Sequence, residues 1–128
     1  MLKFLAVGAG GFLGAVSRYL LNGWMHRKFP GFLPAGTLLV NVIGCLAIGV
    51  LMGLVIERRL GPEHELIRVL LITGFLGSLT TFSTFAYETV ELIQEDQWRP
   101  AIVNVSSNLV LGLAAVWLGR LIVRGSGG

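Results

Sequence analysis

Gly74-Phe75-Leu76-Gly77-Ser78-Leu79-Thr80-Thr81-Phe82-Ser83-Thr84-Phe85 sits in the middle of an apolar run from about Leu66 to Ile93. That run is longer than the roughly 20 residues one membrane crossing needs. Two glycines precede five hydroxyl side chains within seven positions (Ser78, Thr80, Thr81, Ser83, Thr84). Serine and threonine compete with the helix for backbone hydrogen bonds, and glycine costs about 1 kcal/mol in a helix interior. The segment therefore reads as a helix broken near the bilayer midplane, around Gly77 to Thr81. Broken backbone at that depth must be buried in protein or line a cavity. It frees carbonyl oxygens that can coordinate a hard cation such as Na⁺. A kinked helix satisfied by its own hydroxyls is the alternative.

Three more apolar runs surround this one, from about Phe4 to Gly23, Thr37 to Ile56 and Ala101 to Val123. All 128 residues then form one all-α transmembrane domain of four spans. Composition agrees: 54% of residues are hydrophobic and 13% charged, against about 25% charged in a typical soluble domain. Mean hydropathy is +0.77. Lipid is the solvent that fits. The breakers and charges fall in the connections Trp24 to Gly36, Glu57 to Glu65 and Gln94 to Pro100, and Trp24, Trp98 and Trp117 lie near predicted ends, as interfacial tryptophans do. The first run follows Lys3 but is rich in glycine and contains Arg18, so it reads as a retained span rather than a cleaved leader. The tail 125–128 is given no function.

Net charge is +3 and the pI about 9.6, yet the basic residues sit at the ends of apolar runs. No basic stripe with interleaved aromatics points to nucleic acid. The single cysteine, Cys45, permits no intramolecular disulfide and reads as a small buried hydrophobe. No triad, paired carboxylates, metal cluster or phosphate loop suggests an enzyme. His26 and His64 fall in connections and read as solvated. The terminal side would carry Lys3, Arg58, Arg59, Arg68, Arg120 and Arg124, and the other side Arg27, Lys28 and Arg99. This bias mildly favours cytoplasmic termini. It is weak enough that some chains can insert the other way up, and such a protein would assemble as an antiparallel dimer.

Several intramembrane residues carry chemistry. Gly10 and Gly14, and Gly49 and Gly53, have the spacing that lets helices approach closely in lipid. Arg18 shares a face with Gly11 and Gly14. It can snorkel to the interface, pair, or act electrostatically on an anion. Thr37, Asn41 and Gly44 share one face of the second span, and Asn104, Ser107, Asn108, Gly112 and Ala115 one face of the fourth. Such polar tracks cannot face lipid cheaply; they serve interhelical bonding or a wet path. Phe82 and Phe85 follow the break, and a phenyl ring has a positive edge that can help replace water around a small anion. Glu91 reads as interfacial, and the role of Glu88 is open.

With these residues in view, the chain resembles the Fluc (CrcB-type) fluoride ion channel family along nearly its whole length. The resemblance is carried by Gly10-Gly11-Phe12-Leu13-Gly14-Ala15 with Arg18-Tyr19, by Asn41-Val42-Ile43-Gly44, and by Gly74-Phe75-Leu76-Gly77 with Thr80-Thr81-Phe82-Ser83-Thr84-Phe85. It implies an antiparallel, dual-topology homodimer in the cell (inner) membrane, with two fluoride pathways that let cytoplasmic fluoride leave passively. It implies a structural Na⁺ at the dimer centre, held by backbone oxygens of Gly77 and Thr80 from both subunits, and no organic cofactor. It implies that Phe82 and Phe85 offer ring edges to fluoride, that Asn41 donates to it, and that Ser83, Thr84, Asn104 and Asn108 belong to the polar track. Asparagine at the last two positions replaces hydroxyls that some members carry. Arg18 matches a vestibule arginine with an electrostatic or structural role.

Two rivals remain on the sequence. A small dimeric proton-coupled exporter of the multidrug type needs a deep carboxylate, and Glu88 is the candidate. A membrane scaffold would use the glycine faces but leaves the hydroxyl-rich break unexplained.

Overall fold

The computed structural model describes residues 1–31 and 34–126. Positions 32 and 33 of the first connection, and Gly127 and Gly128 of the tail, lie outside the described residues. The described chain is all helical. Helix α1 is Leu2–Lys28 and α2 is Ala35–Ile56. A 3₁₀ turn, Pro62–His64, leads into α3, residues 65–79. Within α3 an α-helical turn, Glu65–Arg68, is followed by a π-helical stretch, Val69–Leu76, and a last turn, Gly77–Leu79. After an extended break come α4, Phe82–Gln94, and α5, Trp98–Gly125. The four spans are long and apolar enough to cross a membrane, with α3 and α4 together making one.

The ends follow local chemistry. Helix α1 runs one turn beyond the expected Gly23: Trp24 to Lys28 are helical and correct the reading of this stretch as connection. His26, Arg27 and Lys28 in its last turn suit the negative end of the helix dipole, and the Lys28 ammonium lies 4.9 Å from the Trp24 ring centroid. The apolar count stopped at Gly23 because interfacial residues extend a helix without extending its hydrophobic run. Pro34 precedes α2, Pro62 opens the third span and Pro100 lies in the first turn of α5, where no partner for its missing N–H is needed. Helices α2 and α4 both close in a Schellman motif. Arg59 N–H reaches Leu54 O at 2.9 Å with Arg58 left-handed at φ 59°, and Gln97 N–H reaches Leu92 O at 2.8 Å with Asp96 at φ 58°.

Packing pairs α1 with α3 and α2 with α5, each pair running in the same direction. Small residues let backbones touch. A Cβ at Gly10 would strike the Leu70 carbonyl and one at Gly14 the Phe75 carbonyl; Gly74 returns the contact, its Cβ position 2.8 Å from Val7 O. On the other side a Cβ at Gly49 would strike the Val116 carbonyl, and one at Gly53 would lie 3.2 Å from Val123 Cβ. Both glycine pairs thus work as helix-packing surfaces. The π-helical stretch lies against α1 where these contacts fall. Val40, Leu76 and Leu79 form the buried centre. Large side chains such as Phe4, Phe12, Leu113 and Trp117 point outward. The Lys3–Glu65 ion pair (2.7 Å) and the bond from Arg59 to Ser126 (3.1 Å) bring both termini and the α2–α3 connection to one end, as four spans require.

Candidate functional site

The break is two residues long. Thr80 (φ −83°, ψ 154°) and Thr81 (φ −152°, ψ 115°) are extended, while Gly77 stays helical. The discontinuity therefore occupies the C-terminal edge of the predicted window. Thr80 N–H still closes on Leu76 O at 3.1 Å, and the Thr80 hydroxyl donates to the same oxygen at 3.0 Å. Thr81 N–H leaves the helix altogether and donates to Asn41 Oδ1 at 2.9 Å. In a continuous helix that N–H would serve the Gly77 carbonyl. The Asn41 amide also donates to Thr81 O at 3.3 Å. Asn41 thus substitutes for the missing turn by taking both backbone groups of one residue.

Thr81 is the hub that the residue-by-residue reading did not single out. Its buried hydroxyl is the N-cap of α4, accepting from Thr84 N–H at 3.2 Å, and it bonds the Thr84 hydroxyl at 3.0 Å and the Ser83 hydroxyl at 3.3 Å. The signal was available: a threonine just ahead of a restarted helix is a preferred cap.

From Asn41 the polar track continues into α5. Asn41 Nδ2 donates to Asn108 Oδ1 at 3.0 Å, and Asn108 Nδ2 donates to Asn104 O (3.0 Å) and Oδ1 (3.1 Å). Asn104, 2% exposed, donates to the Thr89 hydroxyl at 3.0 Å. The two asparagine faces read from the sequence meet in one chain of bonds. Glu88, whose role was open, accepts from the Thr37 hydroxyl at 2.8 Å.

Asn41, Asn108, Phe82, Phe85, Gly77 and Thr80 line a single cavity of about 580 Å³. The Phe82 and Phe85 ring centroids are 5.6 Å apart with planes at 54°, and Phe82 is 79% exposed. The other expected residues are not in the cavity wall. Asn104 is buried behind Asn108, Thr84 is bonded to Thr81, and Ser83 is exposed on α4. Arg18 is half-buried on α1, one turn past Gly14, and among the described residues no carboxylate pairs with it. Cys45 is half-buried and lines the cavity, which corrects its reading as a small buried hydrophobe. His26 belongs to the last turn of α1 rather than to a connection.

No basic side chain lines the cavity, and among the described residues no three His, Cys, Asp or Glu side chains converge on a metal. A cation here would rely on neutral oxygens, main-chain carbonyls among them. The break suits that: Gly77 is among the last four residues of α3, whose carbonyls lack intrahelical donors, and Thr80 lies in the extended break itself. Gly77 is exposed, with nothing closer to its Cβ position than 3.9 Å. Main-chain oxygens of this kind are hard donors and fit a hard cation.

Comparison with known proteins gives a consistent family. The chain is 45% identical over 119 residues to a protein of Nitratidesulfovibrio vulgaris (strain Miyazaki F), covering 93% of this chain and 94% of the relative. It is 44% identical over 127 residues to one from Maridesulfovibrio salexigens, covering 96% and 99%, and 46% identical over 123 residues to one from a Shewanella species, covering 96% and 97%. Each of these relatives is named fluoride-specific ion channel FluC. The family model described as CrcB-like protein, Camphor Resistance (CrcB), matches residues 5–120. With its four spans, its broken third helix and this match from α1 into α5, the chain is a multi-pass membrane protein and belongs to the CrcB family.

Proposed function

We propose that this chain is one subunit of a fluoride-selective channel, an antiparallel homodimer of the inner membrane through which cytoplasmic fluoride leaves passively. The observation that carries the reading is the cavity at the break, walled by uncharged amides and two phenyl rings and by no Lys or Arg. A fixed cation would hold fluoride too tightly, and conduction needs weak, multi-site binding. The named function of the relatives supports the same ion.

The hydrogen bonds suggest how weak binding arises. Both donors of Asn41 are in use, as are those of Asn108. An arriving anion must exchange a bond rather than fill a waiting one, and the 3.3 Å bond from Asn41 to Thr81 O is the easiest to give up. The Phe82 and Phe85 edges replace further water. Asn104 and Thr84 act by orienting Asn108 and Thr81, Ser83 offers its exposed hydroxyl, and Arg18 raises the local potential or anchors α1. Carbonyls of Gly77 and Thr80 from two subunits would hold one structural Na⁺, which supplies fixed positive charge and ties the subunits together. Conduction involves no covalent step, so the protein is not an enzyme.

The test is efflux from liposomes containing the purified protein, read by a fluoride electrode with a chloride control. Rapid fluoride release with little chloride release is expected. A second reading, proton-coupled export, has one observation in its favour: Glu88 is a half-buried acid within a span. Flux that collapses without a pH gradient would favour it and overturn the passive channel.

A further inference from the structure

A second cavity, about 280 Å³, lies at the end of the bundle away from the termini, between the C-terminal turns of α1, the start of α2 and the middle of α4. Its polar lining comes from Asn22, His26, Thr37 and Glu88. Two oxygens there, Asn22 Oδ1 and Glu88 Oε2, are buried and accept no hydrogen bond among the described residues. Glu88 Oε1 takes the Thr37 hydroxyl, which leaves Oε2 without a partner. No Lys, Arg or His pairs with Glu88 among the described residues. The nearby bases are turned elsewhere: Lys28 stacks over Trp24 and Phe29, and the Arg27 guanidinium lies back along α1, 3.8 Å from the Cβ position of Gly23. A carboxylate oxygen buried without a partner is unfavourable, and a second orphaned acceptor in the same cavity adds to the demand for a cation or a donor.

From this geometry we infer that the cavity is a binding site for a hydrated divalent cation, held by the Glu88 carboxylate and the Asn22 amide oxygen with the His26 imidazole at its rim. Carboxylate, carbonyl and water oxygens are the donors that Mg²⁺, Ca²⁺ and Mn²⁺ prefer, and the volume leaves room for several of the cation's waters. The two buried orphaned atoms are both acceptors, which favours a cation over an anion. Thr37 lies one helical turn before Asn41 on α2, so the site adjoins the polar track. Only the significance of that proximity rests on the channel reading; the site itself does not.

The test is Mn²⁺ titration of the purified protein in detergent, with free Mn²⁺ followed by electron paramagnetic resonance. It measures no flux, so its failure leaves the channel reading untouched. One saturable site per chain is expected, weakened about tenfold or more by Glu88→Gln and by Asn22→Leu, and unchanged by Glu91→Gln, which alters an exposed acid on the same helix. Gly36→Ala gives an independent check that removes no ligand, because its methyl would sit 2.7 Å from Asn22 Oδ1; it too should weaken binding. Absence of saturable binding to the wild-type protein, or wild-type affinity in a folded Glu88→Gln variant, would overturn the inference.

Discussion

Asn41→Ala tests whether the break in the third span is held open from outside. The substitution removes the acceptor for Thr81 N–H and the donor to Thr81 O. Thr81 is buried, so water cannot easily replace either partner. Each orphaned buried group costs about 1–3 kcal/mol. The bond to Thr81 O is long, which puts the sum toward the lower part of that range, about 2–4 kcal/mol for the pair. Side-chain hydrogen bonds measured within membranes average only about 0.6 kcal/mol, because the unfolded reference also finds partners. Thr81 has one such partner ready, the Gly77 carbonyl, if the helix closes. The alanine variant should therefore lose stability, lose the cavity geometry, or both. Equilibrium unfolding in mixed micelles by SDS titration gives the free energy, and liposome flux gives the functional loss. An alanine variant with wild-type flux that is destabilised by less than about 0.5 kcal/mol would refute the clamp.

Other consequences are open to direct measurement. Gly14→Val places its side chain against the Phe75 carbonyl and should cost roughly 3 kcal/mol or abolish folding, seen as loss of monodisperse elution from detergent. Gly44→Ala collides with Thr80 Cγ2. Adding Thr80→Ser removes that methyl while keeping the hydroxyl on Leu76 O, so thermal unfolding should show the double variant more stable than Gly44→Ala alone. Phe82→Ile changes an outward-facing ring, and it should lower fluoride flux with little change in unfolding temperature. Arg58→Gly relieves a left-handed residue in the α2 Schellman turn and should stabilise the protein by about 0.5–1 kcal/mol in the same SDS titration.

The four spans and the position of the break were legible in the sequence because both are written in composition: apolar runs long enough for a bilayer, and glycines followed by hydroxyls. The glycine pairs were legible for the same reason. The π-helical stretch was not. Val69 to Leu76 would satisfy any apolar helix template, and whether each N–H reaches back four or five residues depends on how α1 packs against it. The role of Asn41 was only half legible. Its face and polarity were evident, but its hold on the Thr81 backbone depends on two spans meeting at one level. The track residues divided for a similar reason. Asn104 and Asn108 share a helical face, and only the packing of α4 against α5 decides that one is buried on Thr89 while the other meets the cavity. Glu88 stayed open because a carboxylate at that position is interfacial or internal according to how far α1 rises beside it, and α1 continues past the apolar run.

The contacts between α1 and α3 join a glycine on one helix to a main-chain carbonyl on the other, Gly10 to Leu70 and Gly14 to Phe75. Each such contact has a single mutable partner. Replacing Leu70 or Phe75 by another apolar residue leaves its carbonyl in place, whereas any replacement of the facing glycine pushes the two backbones apart. Drift in this protein is thereby asymmetric: the side chains around the seam are free to diverge while the glycines are not. Proteins that differ from this chain at more than half of their aligned positions can keep the same helix spacing on that basis.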